Sequence, residues 1–190
     1  TDINYINRAT KGVYELGSVF KTFTFAAGIH EGVINPETEF IDLEKSIKCG
    51  KNTISEYDKK IPSNLTAEQI LIRSGNIGSV RIAQSVGLER FEKFMNELSL
   101  IDPIEFDIEE VGVPISFNWG KCKLATTSYG HGITTTILQL ANAYSIIVNG
   151  GYKIRPTLIK KNKKIENRKI LNNNVSKKIN PILRKVVTTK

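Results

Sequence analysis

The chain has 190 residues, 40% of them hydrophobic and 24% charged, enough for one good core in an ordinary globular protein and most simply one domain or part of one. Its net charge of +8 raises the question of nucleic acid, but much of the basic excess follows Lys153, in runs such as Lys160-Lys161 and Lys163-Lys164 among asparagines. Without interleaved aromatics or a known binding module, that stretch reads as a solvated basic surface, and no nucleic-acid partner is expected.

In chain order, the first predicted helix runs from about Ser18 to Glu31, with Phe20, Phe23, Ala27 and Ile29 buried and Gly32 as its stop. Phe40 to Asp58 reads as mixed, with β-like fragments at Phe40-Ile41 and Thr53-Ile54 and a turn at Gly50-Lys51-Asn52. A strong helix start follows: Thr66 caps, Gln69 closes a capping box, and Leu65 staples onto Ile70. That helix stops at Ser74-Gly75 and another begins at Asn76 or Ile77, using Ile77, Val80, Ala83 and Val86 and ending at Gly87. A third repeats the period with Leu88, Phe91, Phe94 or Met95, and Leu98.

From Ile101 to Tyr129 the periodicity fails, and Asp102-Pro103, Gly112, Pro114 and Gly120 predict a long irregular segment. Gly130-His131-Gly132 reads as a structural turn. A helix is expected from about Thr135 to Val148, burying Leu138, Leu140 or Ala141, Tyr144 and Val148. Tyr152 to Ile159 alternates weakly, as a strand would. Lys160 to Lys178 reads as polar loop, with a helix opening over Ile179 to Lys185. No stretch spans a membrane: the most apolar, Ile133 to Val148, is broken by threonines, Gln139 and Asn142. Cys49 and Cys122 are expected to be free, buried thiols, although they could pair in an oxidising compartment. With His30 and His131 they make no metal-ligand spacing, and no cofactor is called for.

The chemistry-bearing element is Gly17-Ser18-Val19-Phe20-Lys21. Ser18 is the only serine in the chain with a lysine three residues later. Residues three apart on a helix share a face, so hydroxyl and amine can meet. A lysine activates a serine only when neutral, and both the helix N-terminus and partial burial favour the neutral form.

Asn7 to Thr24, NRATKGVYELGSVFKTFT, resembles the nucleophile segment of the penicillin-binding transpeptidases, N-R-A followed by Y-E-x-G-S-x-F-K. Ser74-Gly75-Asn76, followed by Ile77-Gly78, is similar to the second family motif, S-x-N then I-G. Ser128 to Gly151 is similar to the helical region ahead of the third motif. A second S-x-N, Ser116 to Asn118, lacks both the leading helix and the I-G.

The resemblance is to a class B penicillin-binding protein of the division type. It implies an α/β (α+β) fold like that of the serine β-lactamases: a five-stranded antiparallel sheet flanked by helices and faced by a helical lobe. Residues 1–190 would be a partial transpeptidase domain, truncated at both ends and covering mostly the helical lobe. Ser18 would attack the penultimate D-alanine carbonyl of a peptidoglycan stem peptide, and Lys21 would take its proton. Ser74 would relay a proton toward the leaving amine, and Asn76 would orient Lys21 and the substrate. β-Lactams would acylate Ser18. The implied setting is the inner membrane of a bacterium with the catalytic domain on the periplasmic side, an anchor outside this chain, and cell-wall or division proteins as partners.

Two departures stand out. No K-T-G or K-S-G occurs: Thr188-Thr189-Lys190 is no match and Lys11-Gly12 is misplaced. Gly75 replaces the serine common in the middle of the second motif, which suggests added flexibility. The alternatives within the same chemistry are a serine β-lactamase, with Glu109 or Glu110 activating water, and a D,D-carboxypeptidase. A non-catalytic β-lactam sensor or scaffold is the alternative of another class.

Overall fold

A computed structural model describes residues 5–160 and 168–189 of the chain. Its centre is α1 (Lys21–His30), in which every residue from Lys21 to Ile29 is buried. A helix with so little solvent-facing surface must be enclosed on all sides. α2 (Ala67–Ile72), α3 (Asn76–Val86), α4 (Leu88–Glu97) and α7 (Asn173–Thr188) supply that enclosure. Phe20, Phe23, Phe25, Phe91, Phe94 and Met95 fill the space between them, each almost wholly removed from water.

The strands are short and occur, among the described residues, as three antiparallel pairs. β1 (Val13–Tyr14) pairs with β6 (Thr135–Thr136), β2 (Glu39–Phe40) with β5 (Leu65–Thr66), and β3 (Ser46–Cys49) with β4 (Asn52–Ser55). The first pair brings the segment ahead of Ser18 alongside the start of α6 (Ile137–Val148), and the third is a hairpin leading to Ser55 and Glu56. Among the described residues helices thus outweigh strands.

Local chemistry fixes several boundaries as expected. Gln69 N–H donates to Thr66 Oγ1 over 3.2 Å and Thr66 N–H to Gln69 Oε1 over 2.9 Å, the capping box that opens α2. α3 begins at Asn76 and stops at Gly87, whose φ of 87° ends a helix without the penalty a side chain would bring. Phe91, Phe94, Met95 and Leu98 are all buried.

Other expectations fail for identifiable reasons. The first helix opens with a 3-10 turn, Gly17–Phe20, before α1 proper. α5 (Lys121–Thr127) lies inside the stretch predicted to be irregular; Gly120 precedes it and only seven residues sustain its pattern, too few to reveal a period. Tyr152 to Ile159 forms no strand and contributes one bridge, Tyr152 to Lys169. α7 starts at Asn173, inside the predicted polar loop. Asn172 caps it through a 3.1 Å bond from Asn174 N–H, and Val175, Ile179 and Ile182 bury its inner face. Pro181 lies inside this helix. The lysines at 161, 163 and 164 lie outside the described residues.

α6 is rotated from its predicted face. Gln139, Asn142, Ala143, Ile146 and Ile147 point inward, while Ala141 and Val148 face solvent. A glutamine tolerates the core only if its amide is fully engaged. Gln139 Nε2 donates to the carbonyls of Ser99 at 2.9 Å and Asp102 at 2.7 Å, while Oε1 accepts from Thr136 N–H at 3.1 Å. One side chain thereby closes a second capping box and ties α6 to the loop after α4.

The cysteines are joined. Cys49, at the end of β3, and Cys122, in α5, form a disulfide with their Cα atoms 5.3 Å apart, within the range such a bond spans. Cys49 is half-buried and Cys122 exposed, so the expected pair of free, buried thiols is corrected. Folding the hairpin over α5 brings together two residues 73 positions apart.

The role of Gln139 predicts that Gln139→Leu, similar in bulk, strands the Ser99 and Asp102 carbonyls. Stability measured by urea unfolding should fall by about 1–3 kcal/mol per stranded group.

Candidate active site

The Ser18 turn is held from both sides. Gly17 adopts a φ of 58° and its N–H donates to Gly130 O over 3.2 Å, turning the chain out of β1 and into the helix. Lys21 N–H donates to Ser18 O, so the two residues lie one helical turn apart. Ser18 is exposed, whereas Lys21 is only 3% accessible. Behind them, the Tyr144 hydroxyl donates to Val19 O at 2.7 Å and lies 2.9 Å from Thr22 Oγ1. Thr24 Oγ1 donates to Ser128 O at 2.7 Å.

The buried Lys21 amine points at the α2–α3 junction. Its Nζ donates to Ser74 O in a short contact and to Ser74 Oγ at 2.9 Å. Ser74 can present both oxygens to one nitrogen because its φ is 56°, in the left-handed region that few serines occupy. Such strain at a residue bonded to a buried amine is a mark of a functional position. Burial strips the Lys21 ammonium of water and lowers its pKa from 10.5 to about 8; the Glu56 carboxylate nearby acts against that shift. Among the described residues no hydrogen bond joins Lys21 Nζ to Ser18 Oγ, so the contact that defines this arrangement is between lysine and Ser74.

Asn76 is the first residue of α3 and lies two positions beyond Ser74. Its Nδ2 donates to Ser55 O at 2.8 Å, so the carboxamide rests on the β4 hairpin and not on Lys21. The middle residue, Gly75, has a φ of −68° that any residue can adopt, and a Cβ there would lie at an ordinary 3.5 Å from Glu56. The backbone therefore makes no use of the flexibility expected of this glycine. The other nominated residues stand apart. Glu109 and Glu110 are exposed, and Ser116 and Asn118 are exposed in an irregular loop. His131 is exposed too, with Nδ1 3.4 Å from a Glu15 carboxylate oxygen, and Glu15 also accepts from Gly132 N–H at 3.0 Å.

Three residues of the site escaped sequence reasoning. Glu56 accepts from Asn76 N–H at 2.6 Å and Ile77 N–H at 2.9 Å. Tyr144, expected in the core, anchors the Ser18 turn through its hydroxyl. Gly130 gives the turn room: a Cβ there would stand 2.0 Å from Gly17 O and 2.8 Å from Phe20 Cβ. Glycine in Gly130-His131-Gly132 was the one available signal.

A family model described as the penicillin binding protein transpeptidase domain matches residues 1–190. The probable peptidoglycan D,D-transpeptidase FtsI of Caulobacter vibrioides is 34% identical over 189 residues, covering 97% of this chain and 31% of that protein. The penicillin-binding protein PbpB of Mycolicibacterium smegmatis is 29% identical over 81% of this chain and 24% of its own length. The chain thus spans less than half of the length of these curated relatives, about a third of the first and a quarter of the second. Among solved structures, the transpeptidase domain of Burkholderia pseudomallei penicillin-binding protein 3 superposes with a TM-score of 0.87 at 23% identity, covering 96% of this chain and 56% of that one. Penicillin-binding protein 3 of Mycobacterium tuberculosis, complexed with aztreonam, gives 0.86 at 21% identity over 97% of this chain and 44% of that one. These structures establish the expected fold.

Gly130→Ala should displace the Ser18 turn, since the added methyl meets a carbonyl and the φ of 81° disfavours any side chain. A loss of about 1–3 kcal/mol is expected in urea unfolding, against a much smaller effect of alanine at the open Gly120.

Proposed function

Because this chain belongs to the penicillin-binding protein transpeptidase family, we propose that it carries the nucleophile and base of a serine D,D-transpeptidase of septal cell-wall synthesis. One observation carries the reading: a buried lysine amine hydrogen-bonded to both oxygens of Ser74, one helical turn from the exposed Ser18.

The chemistry follows from counting protons. A neutral Lys21 amine has two N–H bonds and one lone pair. Ser74 O and Oγ take the two N–H bonds, which leaves the lone pair for the Ser18 proton. With a pKa of about 8, about a tenth of the lysines are neutral at pH 7, where an unperturbed lysine would offer far fewer. Ser18 Oγ attacks the carbonyl of the penultimate D-alanine of a stem peptide, and the proton moves to Lys21. Lys21 then returns it, through the Ser74 hydroxyl, to the amine of the departing terminal D-alanine. The amino group of a neighbouring stem next attacks the Ser18 ester, which forms the cross-link and frees the serine. A β-lactam would open onto Ser18 in the same way. Asn76, held on Ser55 O, would meet the substrate backbone.

The Ser18 N–H, at a helical start, suits one oxyanion donor. These residues hold no K-T-G or K-S-G, so the second donor and the wall for the substrate carboxylate would lie outside residues 1–190. The Cys49–Cys122 disulfide fits an oxidising setting such as the periplasm. Among the described residues no helix is long and apolar enough to cross a membrane, so attachment would use a segment outside them. Division and cell-wall proteins are the expected partners.

In the full-length protein, a fluorescent penicillin should label Ser18, read by peptide mass spectrometry, and Ser18→Ala should abolish the label. Lys21→Met, which keeps the apolar stem, should melt normally yet acylate about 10²–10⁴-fold more slowly. The sign of the pH effect is fixed: the base works when neutral, so acylation should climb with pH and level off above about 8. Labelling of another serine, or a rate independent of pH between 6 and 9, would contradict these roles.

A further inference from the structure

The mechanism leaves one part-buried contact of the site unexplained: a carboxylate packed behind the S-x-N segment. We propose that Glu56 is the positioning residue of this site, capping α3 so that Ser74 is held against Lys21 and Asn76 against the hairpin, and setting a negative charge near the buried amine. The inference rests on the acyl-transfer reading above.

The geometry is specific. Glu56 follows the β3–β4 hairpin directly, and its two carboxylate oxygens divide two orphan helix donors between them, Asn76 N–H at 2.6 Å and Ile77 N–H at 2.9 Å. Both bonds are charge-assisted, and the negative charge sits at the positive end of the α3 dipole. The preceding residue completes the grip, since Ser55 O accepts from Asn76 Nδ2 at 2.8 Å. Gly75 N–H is tied to Ile70 O at 2.9 Å and Ser74 N–H to Leu71 O at 3.1 Å, so α2 holds the other side of the junction. Ser74 is thus clamped between two anchors in a backbone conformation it would not adopt freely. Disulfide bonding of Cys49 to α5 fixes the far end of the same hairpin.

The charges around this group are few. From the hairpin side Glu56 lines a cleft of about 380 Å³ with the exposed Glu44, Lys45, Asp58 and Lys59, none of which pairs with it. Glu44 is instead paired with Arg81 of α3. From α2, Arg73 is exposed. From α1, Lys21 is the buried cation on which the carboxylate acts. From α6, the Tyr144 hydroxyl is engaged by Val19 and Thr22, and burial raises its pKa.

The test compares Glu56→Gln and Glu56→Asp with the parent, all as full-length protein, by the rate of fluorescent-penicillin acylation from pH 6 to 10, with thermal melts to establish folding. Gln keeps the shape but loses the charge and offers an N–H to one of the two backbone donors. Its plateau rate at high pH should fall about tenfold or more, the scale expected for a misplaced catalytic group. The midpoint of its pH profile should move to lower pH, because the charge favouring protonated Lys21 has gone. Asp keeps the charge but falls one methylene short, so its plateau should drop while its midpoint stays at the parent value. A plateau or a midpoint in Glu56→Gln equal to the parent's overturns the proposal, as does a shifted midpoint in Glu56→Asp. If the parent takes up no label, the acyl-transfer reading itself falls.

Discussion

Everything at this site depends on keeping a lysine amine out of water. An ammonium buried without partners costs several kcal/mol, and a protein answers by pairing it, bonding it or letting it lose its proton. Here the answer combines the last two. Lys21 gives its hydrogens to Ser74, and burial brings its neutral form within reach near neutral pH. The same desolvation that threatens the fold makes the neutral amine accessible. It also dictates the surroundings, because α1 can carry an inward-facing lysine only where another chain segment offers two oxygens.

That segment is shaped for the task. Ser74 accepts a left-handed backbone so that carbonyl and hydroxyl converge on one nitrogen. The strain is sustained by a stiff frame: a capping box starts α2, and Ser55 and Glu56 grip the first turn of α3. On the opposite side, Gly130, Ser128 and Tyr144 hold the Ser18 turn and α1 through backbone carbonyls. An exposed serine and a buried lysine can share one helical turn because the entry to α1 passes from solvent into the core within four residues. The Cys49–Cys122 disulfide links the hairpin behind the S-x-N segment to α5, just ahead of Ser128 and Gly130. The two supports of the site are therefore covalently connected.

The polar interior of α6 follows the same logic. Periodicity places apolar residues inward, and for this helix that expectation chose Leu138, Tyr144 and Val148. The actual face includes Gln139 and Asn142, because the glutamine amide satisfies a helix start and two loop carbonyls at once. Once such a network is complete, a core position no longer requires an apolar side chain. Tyr144 packs its ring edge-on against Phe23 and reaches the Ser18 turn with its hydroxyl.

The sequence by itself determined what is local. Thr66 with Gln69 announces a helix start, Gly32 and Gly87 announce stops, and Phe91, Phe94 and Leu98 mark a buried stripe, because caps and periods act within a few residues. It also marked Ser18, Lys21, Ser74 and Asn76 as candidate site residues, through spacing and family resemblance. Tertiary structure alone decided the rest. Short α5 carries too few residues to show a period, and the start of α7 lies in a polar, asparagine-rich stretch. The partners of Cys49, Gln139 and Lys21 lie 73, 37 to 40 and 53 positions away along the chain. Glu56 belongs to no spacing pattern with Asn76, because its role arises only when a hairpin folds back onto a helix twenty residues later. Local bonds can be read from neighbours in sequence; a buried charge finds its partners only when the chain has closed around it.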